Sequence, residues 1–298
     1  MDLIERSFRF EAIGTSWSID ITDPLSVERA NILLENIKAR IELFDRAYSR
    51  FREDSLVTEM STRTGVFELP EDAALMMRLY EQLYHITKGA MTPLIGQVLV
   101  EAGYDANYSL QPKELHHPPT WEDTLVFSSP STLEVKQPIV LDVGAMGKGY
   151  LIDLVVELLL GEGVRSFCVE AGGDMRQCDA VGNSLRVGLE HPDDATQVVG
   201  VVEINNVSVC GSAGNRRKWS TFHHIINPHT LTSPRDILAI WAVAKTTMLA
   251  DAMTTALFFA PPEVLLKYYA FEYVIMYADY TAKISKGFPG EVFLKEDI

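Results

Sequence analysis

Apolar residues recur at three- and four-residue spacing at Ala30, Leu33, Leu34, Ile37, Ile41 and Phe44, the stripe of a helix packed on one side. Asp23 and Pro24 ahead of it supply a start signal. Before that helix, β-formers cluster at 7–10 and 16–21 around Gly14, which predicts an opening hairpin. A second amphipathic helix is expected over 71–86, stopped by Lys88 and Gly89. The stretch 104–121, with His116 and His117 beside Pro118 and Pro119, reads as a long loop. Its paired histidines are either exposed loop residues or metal ligands. From residue 133 the texture becomes strand, glycine turn, helix. A strand is expected over 139–143, a tight turn on Gly144, Gly147 and Gly149, and a helix over 150–160 closed by Gly161. Short β-like runs follow at 165–169, 185–189, 198–209 and 238–244, then a helix over 248–260 stopped by Pro261 and Pro262. A short helix and a last hairpin, 273–278 with 282–284, close the chain. Strands in runs with few helices predict an α+β fold of mixed, largely antiparallel sheets with packed helices. The expected organisation is one domain over 1–298 with two lobes.

Composition narrows what such a fold serves. The chain has 298 residues, 47% apolar and 22% charged, enough for a sizeable core and outside the disordered, collagenous and coiled-coil classes. Twenty-six Lys and Arg against 41 Asp and Glu give a net charge of −15, which excludes duplex nucleic acid or an anionic membrane surface as the main partner. Any anionic ligand must be met by local chemistry. Cys168, Cys178 and Cys210 form an odd set without CxxC spacing, so neither a disulfide framework nor a thiolate zinc site is signalled. The first residues, MDLIERSFRFEAIG, contain no apolar run of signal-peptide length. The most apolar later stretch, 151–160, is interrupted by Asp153 and Glu157 and is far shorter than the roughly 20 residues of a membrane span. A cytoplasmic chain is expected, and an exported one trimmed of its leader would read the same.

Several residues bear chemistry. Gly144, Gly147, Lys148 and Gly149 lie between a predicted strand and a helix, where backbone amides and a lysine can meet phosphate oxygens. This is not a Walker A loop, since Lys148 is followed by Gly149. Gly172, Gly173 and Asp174 make a second glycine turn. Asp251 and Thr255 lie four apart on a predicted helix, so a carboxylate and a hydroxyl share one face. Such hard oxygens suit Mg²⁺; equally, Thr255 can bond back to the carbonyl of Asp251. Arg216, Arg217 and Lys218 are a concentrated positive run in an acidic chain, followed by His223 and His224. In a strand, that histidine pair puts one ring on each side.

The order of these pieces resembles the FAD:protein FMN transferase family, also called ApbE-like. Its marks are an early methionine-glycine-threonine turn, a DLGGxAKG loop, a GGD turn, an HHI(L)DP segment and a final ADALSTALF helix. Here they stand as Ile13-Gly14-Thr15, Leu141-Asp142-Val143-Gly144-Ala145-Met146-Gly147-Lys148-Gly149, Gly172-Gly173-Asp174, His223-His224-Ile225-Ile226-Asn227-Pro228 and Ala250-Asp251-Ala252-Met253-Thr254-Thr255-Ala256-Leu257-Phe258. Ser49-Arg50-Phe51 with Ser55 adds a further match. The resemblance implies a T-fold-like α+β architecture and Mg²⁺-dependent cleavage of FAD. FMN would pass through a phosphoester bond to a threonine of an acceptor flavoprotein, and AMP would leave. It places the metal on the side chains of Asp251 and Thr255 and on the backbone carbonyl of Gly147, where the family usually has alanine. It places FAD against Gly14, Thr15, Asp142, Lys148, Gly172, Gly173, Asp174 and His224. It puts His224 near the scissile pyrophosphate, where that histidine is expected to remove or relay the proton of the attacking hydroxyl, with Asp251 the second candidate. Where the family has an FDPTxGPL-like stretch, this chain reads Met91-Thr92-Pro93-Leu94-Ile95-Gly96-Gln97-Val98. Two other readings stay open: a Mg²⁺-dependent FAD pyrophosphatase yielding FMN and AMP, and a non-catalytic FAD-binding protein.

Overall fold

The opening hairpin forms where β-formers flank Gly14. In the computed structural model, which describes residues 4–128, 130–215 and 217–293, β1 (Ile4–Ala12) and β2 (Thr15–Leu25) are joined by Ile13 and Gly14 alone. Their φ angles of 46° and 73° are the left-handed pair that a two-residue turn needs to match the twist of its strands. Helix α1 (Val27–Tyr48) buries Ala30, Leu33, Ile37, Ile41 and Phe44, while Leu34 lies half-buried at the margin of that stripe. Its start differs from expectation. The cap is Ser26, whose hydroxyl accepts the Arg29 amide, and Asp23 and Pro24 belong to the end of β2, since the φ of proline suits extended backbone as well as a helix.

Next come α2 (Leu56–Met60), β3 (Gly65–Glu68), α3 (Ala73–Ile86), α4 (Gly96–Glu101), α5 (Trp121–Thr124), β4 (Leu125–Ser128) and β5 (Thr132–Val135). Lys88 and Gly89, with φ of 56° and 87°, end the α3 region as expected. Residues 104–120 are irregular, as the prolines and histidines predict. The expected strand over 139–143 does not form. Ile139, Leu141 and Val143 are buried as alternation implies, but the amides of Ile139 and Asp142 donate to the carbonyls of Met60 (3.0 Å) and Pro93 (2.8 Å), so no ladder partner remains. Helix α6 (Gly147–Gly161) begins three residues before the expected 150. Gly161 is its last residue, and the left-handed position is Gly163, φ 82°.

The remainder is β6 (Phe167–Ala171), β7 (Asp174–Cys178), β8 (Leu185–His191), β9 (Asp194–Ile204), β10 (Ser208–Ala213), β11 (Lys218–Trp219), β12 (Phe222–His223), β13 (Ile237–Ala244), α7 (Thr247–Ala256), α8 (Pro262–Leu265), β14 (Glu272–Tyr277), β15 (Ala282–Ile284) and β16 (Gly290–Val292). The run 198–209 is therefore two strands, broken at Asn206, φ 54°. Helix α7 stops at Ala256, four residues short of the expected end.

Eight strands form the main sheet in the order β1-β2-β6-β7-β10-β13-β14-β15, and β16-β9-β8 and β3-β5-β4 form smaller sheets. Every pairing among the described residues is antiparallel, so the α+β reading holds. Strand β13 shows how the layers stack. Ile240, Ala242 and Ala244 enter the core shared with α1, α3, α6 and α7, whereas Ala239, Trp241 and Val243 pack on Leu189, Val199, Val202 and Ile204 from β8 and β9. No helix among the described residues is long and apolar enough to cross a membrane.

Candidate functional site

Helices α6 and α7 cross at Gly149, and the crossing builds one side of the site. A Cβ there would lie 2.4 Å from the Thr247 carbonyl oxygen and 2.7 Å from Asp251 Cβ, so only glycine permits this approach. The approach lets the Gly149 amide donate to Asp251 Oδ2 at 2.8 Å. Burial and the neighbouring Asp174 push the Asp251 carboxyl well above the carboxylate range, against the pull of Lys148 and the Gly149 amide. One turn on, the Thr255 hydroxyl donates to the carbonyl of Ala145 at 3.4 Å. The back-bond to the Asp251 carbonyl is made instead by Thr254, at 2.7 Å. Gly147, the implied carbonyl ligand, is the first residue of α6. A Cβ there would meet Val143 Cγ2 at 2.9 Å, so the loop packs closely on this position.

Lys148 points the other way along the same turn. Its ammonium pairs with the buried Asp174 and donates to the Ala171 carbonyl at 3.1 Å. Burial alone would lower its pKa; Asp174 and Asp251 outweigh that and hold it charged. Asp174 also accepts the Gly211 amide at 3.2 Å. Gly172 and Gly173, φ 56° and 92°, form the two-residue turn between β6 and β7. A Cβ on Gly172 would lie 2.4 Å from Thr15 Oγ1, so the two hairpin turns abut at one end of the sheet.

Arg50 and Asp142, 92 residues apart, meet beneath the glycine loop. Arg50 Nε donates to Asp142 Oδ2 at 2.6 Å, Nη1 donates to the Tyr104 carbonyl at 2.8 Å, and the guanidinium lies over the rings of Phe51 and Tyr104. Asp142 Oδ1 accepts the Gly144 amide at 2.7 Å, so this carboxylate shapes the loop. The Arg50 side chain is 3% exposed, and Arg50→Ala leaves a carboxylate without its cation. A loss of about 3–5 kcal/mol is expected from breaking such a pair, read as a lowered urea midpoint, with Arg50→Lys intermediate because a lysine lacks the planar fork.

A cavity of about 1040 Å³ gathers Thr15, Lys148, Gly172, Gly173, His224 and Asp251 at its wall. Residues of β2, β6, β7, β8, β10 and β13 also line it. Gly14, Asp142, Gly147, Asp174 and Thr255 are not among the residues that line it. The histidine pair divides, although β12 ends at His223 and His224 lies beyond the strand: His224 faces this cavity, and His223 faces a smaller one of about 390 Å³. Arg217 also lines the main cavity and donates to the Tyr104 hydroxyl at 3.1 Å; Arg216 lies outside the described residues.

Burial, then the charges of Arg217 and His223, push the His224 imidazole down to about 3, and its Nδ1 is buried without a hydrogen-bond partner. The folded protein therefore holds His224 neutral where the unfolded chain takes up a proton. Since the unfolded state binds more protons between pH 6.5 and about 3, stability falls as pH drops through that window. Between pH 7 and pH 5 this one group contributes a loss of about 2 kcal/mol. His224→Gln should lose correspondingly less over the same interval in urea titrations, and an identical drop in both proteins contradicts this.

Sequence reading did not find Cys210, which lines the cavity and donates to the Thr247 carbonyl at 3.6 Å. Burial and the nearby Asp174 and Asp251 keep its thiol protonated, so it is no nucleophile. His116 and His117 are engaged elsewhere, by Glu101 (3.3 Å) and the Pro228 carbonyl (2.9 Å), and no group of three His, Cys, Asp or Glu able to hold a metal occurs among the described residues.

The ApbE family's sequence model matches residues 13–276. The chain belongs to the ApbE family. Among curated relatives, it is 26% identical over 275 residues to the FAD:protein FMN transferase of Treponema pallidum, spanning 83% of this chain and 76% of that one. It is 24% identical over 271 residues to that of Haemophilus influenzae, spanning 83% and 78%. Among solved structures, the ApbE protein of Thermotoga maritima superposes with a TM-score of 0.82 at 21% identity, covering 95% of this chain and 97% of that one. The flavin transferase ApbE of Vibrio cholerae superposes at 0.78 with 18% identity, covering 96% and 98%. The ApbE loop at 142–149, the GGD turn and the late helix are the three pieces that the α6–α7 crossing and the Lys148–Asp174 pair bring together.

Proposed function

We propose that this ApbE-family chain is a Mg²⁺-dependent FAD:protein FMN transferase that joins FMN through a phosphoester bond to a threonine of an acceptor flavoprotein and releases AMP. The observation that carries the reading is the convergence of Lys148, His224 and Asp251 on one large cavity, with the Thr255 hydroxyl held on the Ala145 carbonyl one helical turn beyond Asp251. A cavity of about 1040 Å³ matches the upper end of the roughly 300–1,000 Å³ of small-molecule sites.

The donor set fits the metal. Carboxylate, hydroxyl and backbone carbonyl are hard oxygens, and the buried nest holds two carboxylates, Asp174 and Asp251, against one ammonium. Asp251 and Thr255 would hold Mg²⁺ with a loop carbonyl. The family resemblance assigns that role to Gly147, whereas Ala145 supplies the carbonyl that the Thr255 hydroxyl meets and lies ahead of the helix, free of its ladder. When bound, the metal supplies charge neutralisation for the diphosphate and for the oxygens that gain charge during transfer.

The chain's own groups do the rest. Lys148, kept charged by its carboxylate neighbours, faces the diphosphate, and the amides of the two glycine turns offer further donors. The threonine hydroxyl attacks the FMN-side phosphorus, a new P–O bond forms, and the bond to the AMP phosphate oxygen breaks, so that AMP carries that oxygen away. The neutral imidazole of His224, which lines the cavity, accepts the hydroxyl proton. The substrate's negative charge beside it raises its basicity at the moment it is needed. Asp251 is the weaker acceptor because the metal would occupy its lone pairs.

Incubation with FAD, Mg²⁺ and candidate acceptor flavoproteins, followed by intact-mass analysis, tests this. The expected result is an acceptor heavier by one FMN with AMP released in equal amount. Free FMN with AMP and no adduct identifies a pyrophosphatase, and unchanged FAD a binding protein; either overturns the proposal. His224→Ala should lower the transfer rate by about 10²–10⁴-fold, the worth of a positioned general base, and transfer at the wild-type rate excludes that role.

A further inference from the structure

Asp153 sits half-buried in the mostly apolar helix α6 and does not line the cavity. Its carboxylate is spent on backbone. Oδ1 accepts the Thr247 amide and Oδ2 the Met248 amide, each at 2.8 Å. These are first-turn amides of α7, which have no partner within their own helix. Local capping is already supplied by Thr246, whose hydroxyl accepts the Leu249 amide at 3.3 Å. Asp153 thus adds a bond between helices where a cap within the chain exists, and places an anion at the positive end of α7.

The spacing gives this bond its consequence. Asp153 is four residues beyond Gly149 on α6, so the two occupy one face. That face grips α7 twice, at the Thr247 and Met248 amides through Asp153 and at Asp251 Oδ2 through the Gly149 amide. On α7, Thr247, Asp251 and Thr255 follow at four-residue intervals, so fixing Thr247 along and around the axis fixes the other two. Thr247 is held from the sheet side as well, by the Ser208 hydroxyl at 2.9 Å. The height of Asp251 and Thr255 over the Ala145 carbonyl is therefore set at Asp153, roughly one helical turn from the nearest of the three oxygens.

We infer that Asp153 is a positioning residue for the Asp251–Thr255–Ala145 oxygen set, acting by docking the first turn of α7 onto α6; this rests on the metal-dependent reading of that site. Partners that orient metal ligands typically change metal affinity by 10–100-fold when removed. Asp153→Ala should weaken binding of Mg²⁺ alone by that factor in calorimetric titration, and speed hydrogen exchange at the Thr247 and Met248 amides. Asp153→Asn retains one acceptor oxygen and should fall between the two, which keeps the test available where the alanine variant folds poorly. At saturating Mg²⁺ the KM for FAD should stay within about twofold, since Lys148 and the glycine turns are untouched, while the Mg²⁺ concentration needed for half-maximal rate rises by the same 10–100-fold. Variants that melt at lower temperature yet bind Mg²⁺ with wild-type affinity would show Asp153 to be an ordinary packing residue and overturn the inference. A wild-type protein that binds no Mg²⁺ removes the metal reading and this inference with it, and the wild-type titration separates that outcome from the first.

Discussion

Asp251→Asn is expected to abolish FMN transfer, by about 10³-fold or more in kcat/KM, and to remove the dependence of FAD binding on Mg²⁺. The magnitude corresponds to losing several kcal/mol of charge stabilisation from the metal at about 1.4 kcal/mol per decade. The substitution separates chemistry from folding. An asparagine oxygen still accepts the Gly149 amide, and the side chain has no charge to bury. In the folded protein burial and Asp174 raise the Asp251 pKa, so the ionised form costs stability at every pH above the unfolded value of 3.8, and the cost grows as pH rises. Asp251→Asn should therefore melt no lower than the wild type at pH 7 without Mg²⁺. An asparagine variant that transfers FMN normally, or one that unfolds, contradicts the role given to this carboxylate.

The second large effect is expected at Gly149. An alanine Cβ would stand 2.4 Å from the Thr247 carbonyl oxygen and 2.7 Å from Asp251 Cβ, contacts that no side-chain rotation relieves. Helices α6 and α7 must move apart, carrying Asp251 and Thr255 from the Ala145 carbonyl. Overpacking of this kind costs about 1–3 kcal/mol, and displacing reacting groups by about an ångström costs on the order of 10²-fold in rate. Gly161→Ala is the internal control. Nothing lies within 4 Å of a Cβ there, and alanine is favoured over glycine in a helix by about 0.5–1 kcal/mol, so that variant should be more stable and fully active. Equal activity in the two variants would mean that the close crossing is not needed.

How much of this was legible in the sequence depends on how local each signal is. The stripe from Ala30 to Phe44 and the turn at Gly14 are decided by neighbours within a few residues, and both form as predicted. Residues 139–143 carry a burial pattern, which alternation reads correctly, but pairing depends on what lies alongside, and there the amides find Met60 and Pro93. Strand β7, Asp174–Cys178, has no β-branched or aromatic residue and is extended because β6 and β10 flank it. Asn206 hides a turn inside a run of valines and isoleucines. At the site, the order of motifs pointed to Lys148, His224, Asp251 and Thr255 together. The ion pair of Arg50 with Asp142 leaves no trace in spacing, and neither does the thiol of Cys210. Asp153 did leave one, as a charge interrupting an apolar helix, but it read only as an argument against a membrane span.

The net charge of −15 poses the problem that the site solves, since an acidic chain must hold a dianionic dinucleotide. The answer proposed is short-ranged: Lys148 and Arg217 beside the cavity and a divalent cation on hard oxygens, contacts that salt screens less than a broad surface field. A crystal structure of the protein with FAD and Mg²⁺ tests this most directly. It should show the cation on Asp251, Thr255 and a carbonyl of the 145–147 loop, the diphosphate between that cation and Lys148, and the His224 ring facing the FMN-side phosphorus. A dinucleotide bound elsewhere in the cavity, or a cation that touches neither Asp251 nor the diphosphate, would contradict it.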